Sequence, residues 1–421
     1  MPMEQLYLIL VLGFLVGRYL LDTLVEWRNV RHVSTELPRE FAGVYDPDKY
    51  RTSQRYLKEN TGFSVVKDTV STVIIVAVIL CGGFGLLDRG VRALTENPLA
   101  AGLFFAGVVF LLSEVMSLPF RAYHTFVIEE KYGFNKTKVR TFIGDFVKEL
   151  FLGVVLGGML FAGVLWFFLS AGAQAWLWCW AAVMVFQLFV TFIAPVVILP
   201  LFNKFVPLPE GELRNAIEEY ARSQDFRLQG VYTMDASRRS TKSNAFFTGL
   251  GKYKRIALFD TLIEKLNVPE LVSVLAHEVG HYKKKHILKG IILSAATTGV
   301  MFYILQFFIG NRDLAAAFGV EQASVYASII FFGFLYTPLS VACSIIAHTF
   351  SRRYEYEADR FAAVTYGHEE DFISALKKLT VENLSNLTPH PWKVRYSYSH
   401  PPVLNRIRAL RELAAQQQKI T

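Results

Sequence analysis

Residues 268–308 read VPELVSVLAHEVGHYKKKHILKGIILSAATTGVMFYILQFF, and two signals meet there. The first half has a helical pattern. Pro269 and Glu270 suit an opening turn, and Leu271, Val272, Val274, Leu275 and Ala276 continue it. Four residues apart on such a helix, His277 and His281 share one face, so both imidazoles can bind one metal ion. Glu278 follows the first histidine and can reach a water on that ion as its base. The plainer alternative is an amphipathic helix with two ordinary histidines. The second half, from Ile287 to Phe308, is apolar and long enough to cross a bilayer. Lys283, Lys284 and Lys285, between the two halves, read as interfacial anchors for that span.

Outward from this stretch, the composition is that of a membrane protein. The 421 residues are 52% hydrophobic, with a mean hydropathy of +0.32. The net charge of +8 fits basic cytoplasmic loops, and no aromatic-basic motif suggests nucleic-acid binding. Cys81, Cys179 and Cys343 lie far apart in apolar stretches, as small buried hydrophobes and not a disulfide framework. The first apolar stretch lacks a basic leader and an obvious cleavage site, so it reads as a retained span.

Seven stretches are predicted to span the bilayer: Leu6–Val25, Val70–Leu87, Leu99–Leu118, Leu150–Leu169, Trp176–Phe202, Ile287–Phe308 and Val325–Ala347. Arg18 and Asp22 interrupt the first, at a spacing that allows them to pair. Pro195, Pro200 and Pro338 sit late in their spans, where a kink or an end is expected. Lys and Arg crowd the first, third and fifth loops and the tail. This puts the N-terminus outside and the C-terminus in the cytosol, with the metal motif at the cytosolic surface. The acceptor sequences at Asn135, Asn383 and Asn386 then fall on the cytosolic side and are predicted to be unmodified. Glu114, inside the third span, either faces a protein interior or sits at an interface. The predicted organisation is spans one to five in 1–202, a metalloprotease loop in 203–286, spans six and seven in 287–349, and a C-terminal cytosolic region in 350–421.

A catalytic metal site usually needs a third protein ligand. Directly after the seventh span comes Arg352-Arg353-Tyr354-Glu355-Tyr356-Glu357-Ala358-Asp359. Glu355 is the candidate ligand. Asp359, one turn on and on the same face, could accept from the outer nitrogen of a metal-bound histidine. Glu357 points to another face and is not selected. Acidic residues also occur at helix starts as plain dipole partners. Ser399-His400-Pro401-Pro402, followed by Arg406, could present a donor to an oxyanion. On the residues alone, a turn with an exposed histidine is the simpler reading.

Taken together, these blocks make the chain resemble the type I CAAX prenyl proteases, integral-membrane zinc metalloproteases of the gluzincin type. The likeness also rests on Thr125–Asn135, Leu199–Phe205, Ser243–Phe246 and Leu258–Leu262. It implies a mainly α polytopic fold, seven membrane helices enclosing a chamber closed by a cytosolic-side metalloprotease region. It implies one Zn2+ per chain held by His277, His281 and Glu355, with Glu278 activating water and Asp359 supporting a ligand. Asn244 and His400 would stabilise the transition state, Arg406 would orient that region, and Asn244-Ala245-Phe246 would be an edge strand pairing with substrate. Where the family pattern has Gln, this chain has Glu357. The implied activity is removal of the C-terminal tripeptide from prenylated CAAX proteins by a chain functional as a monomer. It would lie in the endoplasmic reticulum of a eukaryote or the inner membrane of a bacterium. Two alternatives stand beside it: a membrane-protein quality-control protease without a prenyl requirement, and an inactive zinc-binding scaffold.

Overall fold

The computed structural model describes residues 1–226, 228–248 and 255–418. Six described helices are long and apolar enough to cross a membrane: α1 (Met3–His32), α2 (Pro47–Leu80), α4 (Pro98–Glu129), α5 (Val139–Ser170), α6 (Gly172–Phe202) and α9 (His286–Phe308). A short helix, α3 (Gly83–Leu94), follows α2. A bent pair, α10 (Val325–Leu335) and α11 (Thr337–Tyr366), meets at 60° and gives a seventh candidate span if the two cross together.

Several predicted boundaries move, for local reasons. The second span starts far earlier than Val70, because Asp46 caps the helix by accepting from the Asp48 and Lys49 N–H groups, with Pro47 in the first turn. Hydropathy marks only the apolar half of such a helix. That span ends at Leu80, not Leu87, because Gly82 takes a left-handed φ of +67° and redirects the chain into α3. Cys81 is therefore exposed at this turn and not buried, while Cys179 is buried as expected. The seventh candidate span is two helices. Pro338 sits in the first turn of α11, where its missing N–H costs nothing, rather than late in a continuous helix. Arg18 and Asp22 do pair, at 3.2 Å, and α1 runs through them unbroken. Asp22 also accepts from the Tyr396 hydroxyl, which ties the first span to the C-terminal region.

Between α2, α3, α4 and α5 lies a chamber of about 1120 Å3. Ile74, Val109 and Leu112 line its apolar part, and Lys67, Arg121, His124 and Glu149 its polar part. Glu114 lies 3.6 Å from Arg121, which also pairs with Glu149. The Glu114 carboxylate thus faces a charged partner at the chamber, as an intramembrane charge requires.

The segment after α6 builds a four-stranded sheet in the order β1 (Phe205–Pro207), β2 (Gly230–Met234), β4 (Arg255–Phe259), β3 (Ala245–Thr248). Helix α7 (Glu212–Ser223) and α8 (Val268–Lys283) pack with it, joined by α12 (Glu369–Glu382), α13 (Pro391–Ser397) and α14 (Val403–Gln418). Leu271, Val272, Leu275, Ala276 and Val279 of α8 are buried in one core with Ile217, Leu258, Phe372 and Ile407. Burying each larger side chain is worth about 1.5–3 kcal/mol, so α8 is fixed on several sides.

Candidate metal centre

Helix α8 begins with a complete capping box. The Asn267 side chain accepts from the Glu270 N–H at 2.9 Å, and the Glu270 carboxylate accepts from the Asn267 N–H at 2.9 Å. Glu270 is itself held by Ser374 and Lys378 of α12. These anchors set the rotation of the helix, and that rotation directs His277 and His281 at α11. Gly280 lets the two helices meet. A Cβ there would lie 3.1 Å from the Cα and carbonyl oxygen of Ala358 and 3.1 Å from the Phe361 Cβ.

At this contact His277, His281 and Glu355 come together. The two imidazole Nε2 atoms are 3.0 Å apart. His277 Nε2 lies 3.5 Å from Glu355 Oε2, and His281 Nε2 lies 3.3 Å from Glu355 Oε1. A tetrahedral ion with ligands at about 2.0–2.1 Å would separate them by about 3.4 Å. Glu355 Oε2 is a buried oxygen with no hydrogen-bond partner, a costly state that a cation relieves. Spacing, donor types and this orphaned oxygen all fit a divalent metal.

The outer atoms of the cluster are also engaged. His277 Nδ1 donates to Asp359 Oδ1 at 2.8 Å, leaving the Nε2 lone pair free for a metal. Arg406 grips Asp359 with two donors, Nε to Oδ2 at 2.8 Å and Nη2 to Oδ1 at 2.6 Å. Its Nη1 lies 3.6 Å from Glu355 Oε2. Burial opposes a charged His277, yet the Asp359 and Glu355 carboxylates outweigh it and raise the imidazole to about 9, so a cation bound at Nε2 would take the place of a proton there. Buried carboxylates here draw positive charge, as a cation site must. Glu278 is half-buried beside His277, close enough for its charge to act on Arg406.

His400 joins the rim: its Nε2 lies 3.3 Å from Glu355 Oε1, and Ser399 Oγ is 2.9 Å from its Nδ1. Its side chain is 65% exposed, while the next residue, Pro401, is buried and anchors the turn. Asn244 is not drawn into the cluster. It is exposed, and its side chain accepts from the Ala245 N–H at 2.9 Å. It precedes β3, which among the described residues pairs only with β4 and stands at the edge of the sheet. The Phe246 side chain lies outside the described residues.

His286 was not picked out by sequence. Its Nδ1 is 3.0 Å from His281 Nδ1, and its Nε2 is 3.2 Å from Glu357 Oε2. The ring is stacked on Tyr354, centroids 4.4 Å apart and planes at 12°. Glu357 is steadied by Arg353 at 3.0 Å and Lys289 at 3.5 Å. A five-residue spacing does not share a helix face, so periodicity hides this contact. Lys285 creates it: at φ +58° it separates α8 from α9 and turns His286 back.

The chain matches two family descriptions in tandem. Residues 26–204 match "CAAX prenyl protease N-terminal, five membrane helices", and residues 207–414 match "Peptidase family M48". It is 35% identical over 411 residues to a CAAX prenyl protease 1 homolog of Arabidopsis thaliana, covering 95% of this chain and 96% of that one. Against the CAAX prenyl protease 1 of Saccharomyces cerevisiae the identity is 31%, covering 96% and 94%. The crystal structure of S. mikatae Ste24p superimposes with a TM-score of 0.91 at 30% identity, covering 96% of this chain and 99% of that one. With this fold, this histidine–glutamate cluster and these relatives, the chain belongs to the M48 metalloproteases, in their membrane-embedded CAAX prenyl protease 1 family.

Proposed function

We propose that the protein is a zinc endopeptidase that removes the last three residues of a prenylated CAAX peptide. The observation that carries this reading is the mutual spacing of His277, His281 and Glu355 at 3.0 to 3.5 Å, with Glu278 one residue from the first. The relatives' printed names supply the substrate class. A zinc ion held by these three residues would activate water and polarise the scissile carbonyl. Glu278 takes the proton from the attacking water and delivers it to the leaving amine. Asp359, fixed by Arg406, holds His277 in the ligating tautomer. His400 stands at the open side of the cluster, where it can donate to the developing oxyanion. The edge strand β3, entered at Asn244, offers backbone pairing to an extended peptide.

The test pairs a farnesylated CAAX peptide with its unprenylated twin, with zinc content measured on the same protein. Cleavage of the farnesylated peptide, dependent on one zinc per chain, supports the reading. Equal turnover of both peptides points to a quality-control protease, and zinc without turnover to a scaffold.

Two further outcomes are expected. Asp359→Asn and His286→Phe each remove a partner of a metal-binding histidine. Each should weaken zinc retention about 10- to 100-fold, read by chelator competition. Glycosidase treatment should produce no mass shift at Asn135, Asn383 or Asn386. The loop charges put all three in the cytosol, with the N-terminus outside. Asn383 also uses its whole amide to clasp the Ser243 backbone, at 3.1 and 3.2 Å, and the Asn386 amide nitrogen is buried.

A further inference from the structure

A second cavity of about 580 Å3 lies between α9 and α11. It is lined at one end by His281 and His286, beside the metal centre, and at the other by Thr297 and Cys343. From His286 to Thr297 the helix rises about 16 Å, at about 1.5 Å per residue. The walls are Ile287, Gly290, Leu293, Ala347 and Phe350, with five hydroxyls, those of Ser294, Thr297, Ser344, Ser351 and Tyr354, among them. Three of those hydroxyls are already committed. Thr297 donates to the Leu293 carbonyl at 3.0 Å, Ser344 to the Val341 carbonyl at 2.8 Å, and Ser294 to Gln187 at 3.2 Å. The long walls of the slot are therefore mainly apolar, with Ser351 and Tyr354 on the lining beside His286.

A CAAX peptide carries its isoprenoid on the cysteine sulfur. If the last three residues leave, that cysteine supplies the scissile carbonyl, so the chain must depart within a few ångströms of the metal. An extended farnesyl group measures about 14 Å, on C–C bonds of about 1.5 Å. The length, the mainly apolar walls and the position beside the metal centre match this slot. The larger chamber has no lining residue from α8 or α11. We propose that the slot between the sixth span and the second helix of the seventh receives the substrate's isoprenoid chain. The inference rests on the peptidase reading above and adds where the lipid goes.

The test uses the full-length, zinc-loaded protein in nanodiscs. A Cβ at Gly290 meets nothing within 4 Å, so Gly290→Trp fills the slot without disturbing the helix backbone. Ala347→Leu fills it from the other wall. Each variant should raise KM for the farnesylated peptide at least tenfold, the burial of about two methylene groups, with kcat retained. The unprenylated twin should be unaffected, and so should Leu112→Trp in the larger chamber. A peptide bearing a diazirine-labelled farnesyl group should crosslink wild-type protein within 287–297 and 343–350. Equal effects on both peptides, crosslinks at Leu112 or Phe120, or crosslinks displaced by phospholipid but not by farnesyl-cysteine would overturn the proposal. Wild-type protein that cleaves neither peptide defeats the peptidase reading instead, and the crosslinks still decide the slot.

Discussion

Glu278→Gln is expected to cut peptide cleavage about 10³-fold while zinc remains bound at one per chain. Glutamine keeps the size and helix preference of glutamate, so His277 and His281 stay in register on α8. The change removes only the group able to accept and return a proton. General-base catalysis contributes about 10²- to 10⁴-fold, so kcat should fall by roughly 10³-fold, about 4 kcal/mol of barrier. His277, His281 and Glu355 are untouched, and elemental analysis should find the zinc. The paired measurements are kcat on the farnesylated peptide and metal per chain. Turnover within tenfold of wild type would remove Glu278 from the mechanism, and loss of zinc would show that its role is structural.

Gly280→Val should be nearly as damaging, by a different route. Even a Cβ at this position is held at 3.1 Å from the backbone of Ala358, which cannot rotate away as a side chain can. Valine adds two methyl groups, so α8 must back off α11. Overpacking of this kind costs about 1–3 kcal/mol. The functional cost is larger because the contact joins the two helices that carry the candidate metal ligands. His277 and His281 sit on one side and Glu355 and Asp359 on the other. A displacement near 1 Å can lower activity about 10²-fold. Both zinc retention and kcat should fall by about that factor, while Gly17→Ala, where a Cβ meets nothing within 4 Å, should change neither. A Gly280→Val protein with normal zinc affinity would mean that the helix contact is not what sets the centre.

The membrane spans were readable because a bilayer demands long apolar runs, and each run is visible without knowing its neighbours. Their true ends were less visible. The polar turns of α2 carry no hydropathy signal, and the break at Tyr336 within the seventh span depends on how α10 and α11 pack. The candidate ligands were readable because His277 and His281 obey helical spacing and Glu355 and Asp359 obey it again in a second block. At Asn244, which the resemblance puts at the cleft, the structure adds a local contact that spacing does not reveal: its side chain accepts from the Ala245 N–H.

The sequence by itself determined the spans, the metal-binding residue types and the family, since all three are written in periodicity, composition and short local patterns. Only the tertiary structure decided that Glu355 reaches the two histidines, that Gly280 is the point of contact, and that His286 backs His281. Those are relations between segments far apart in the chain or divided by a turn, and they exist only once α8, α9 and α11 are packed together.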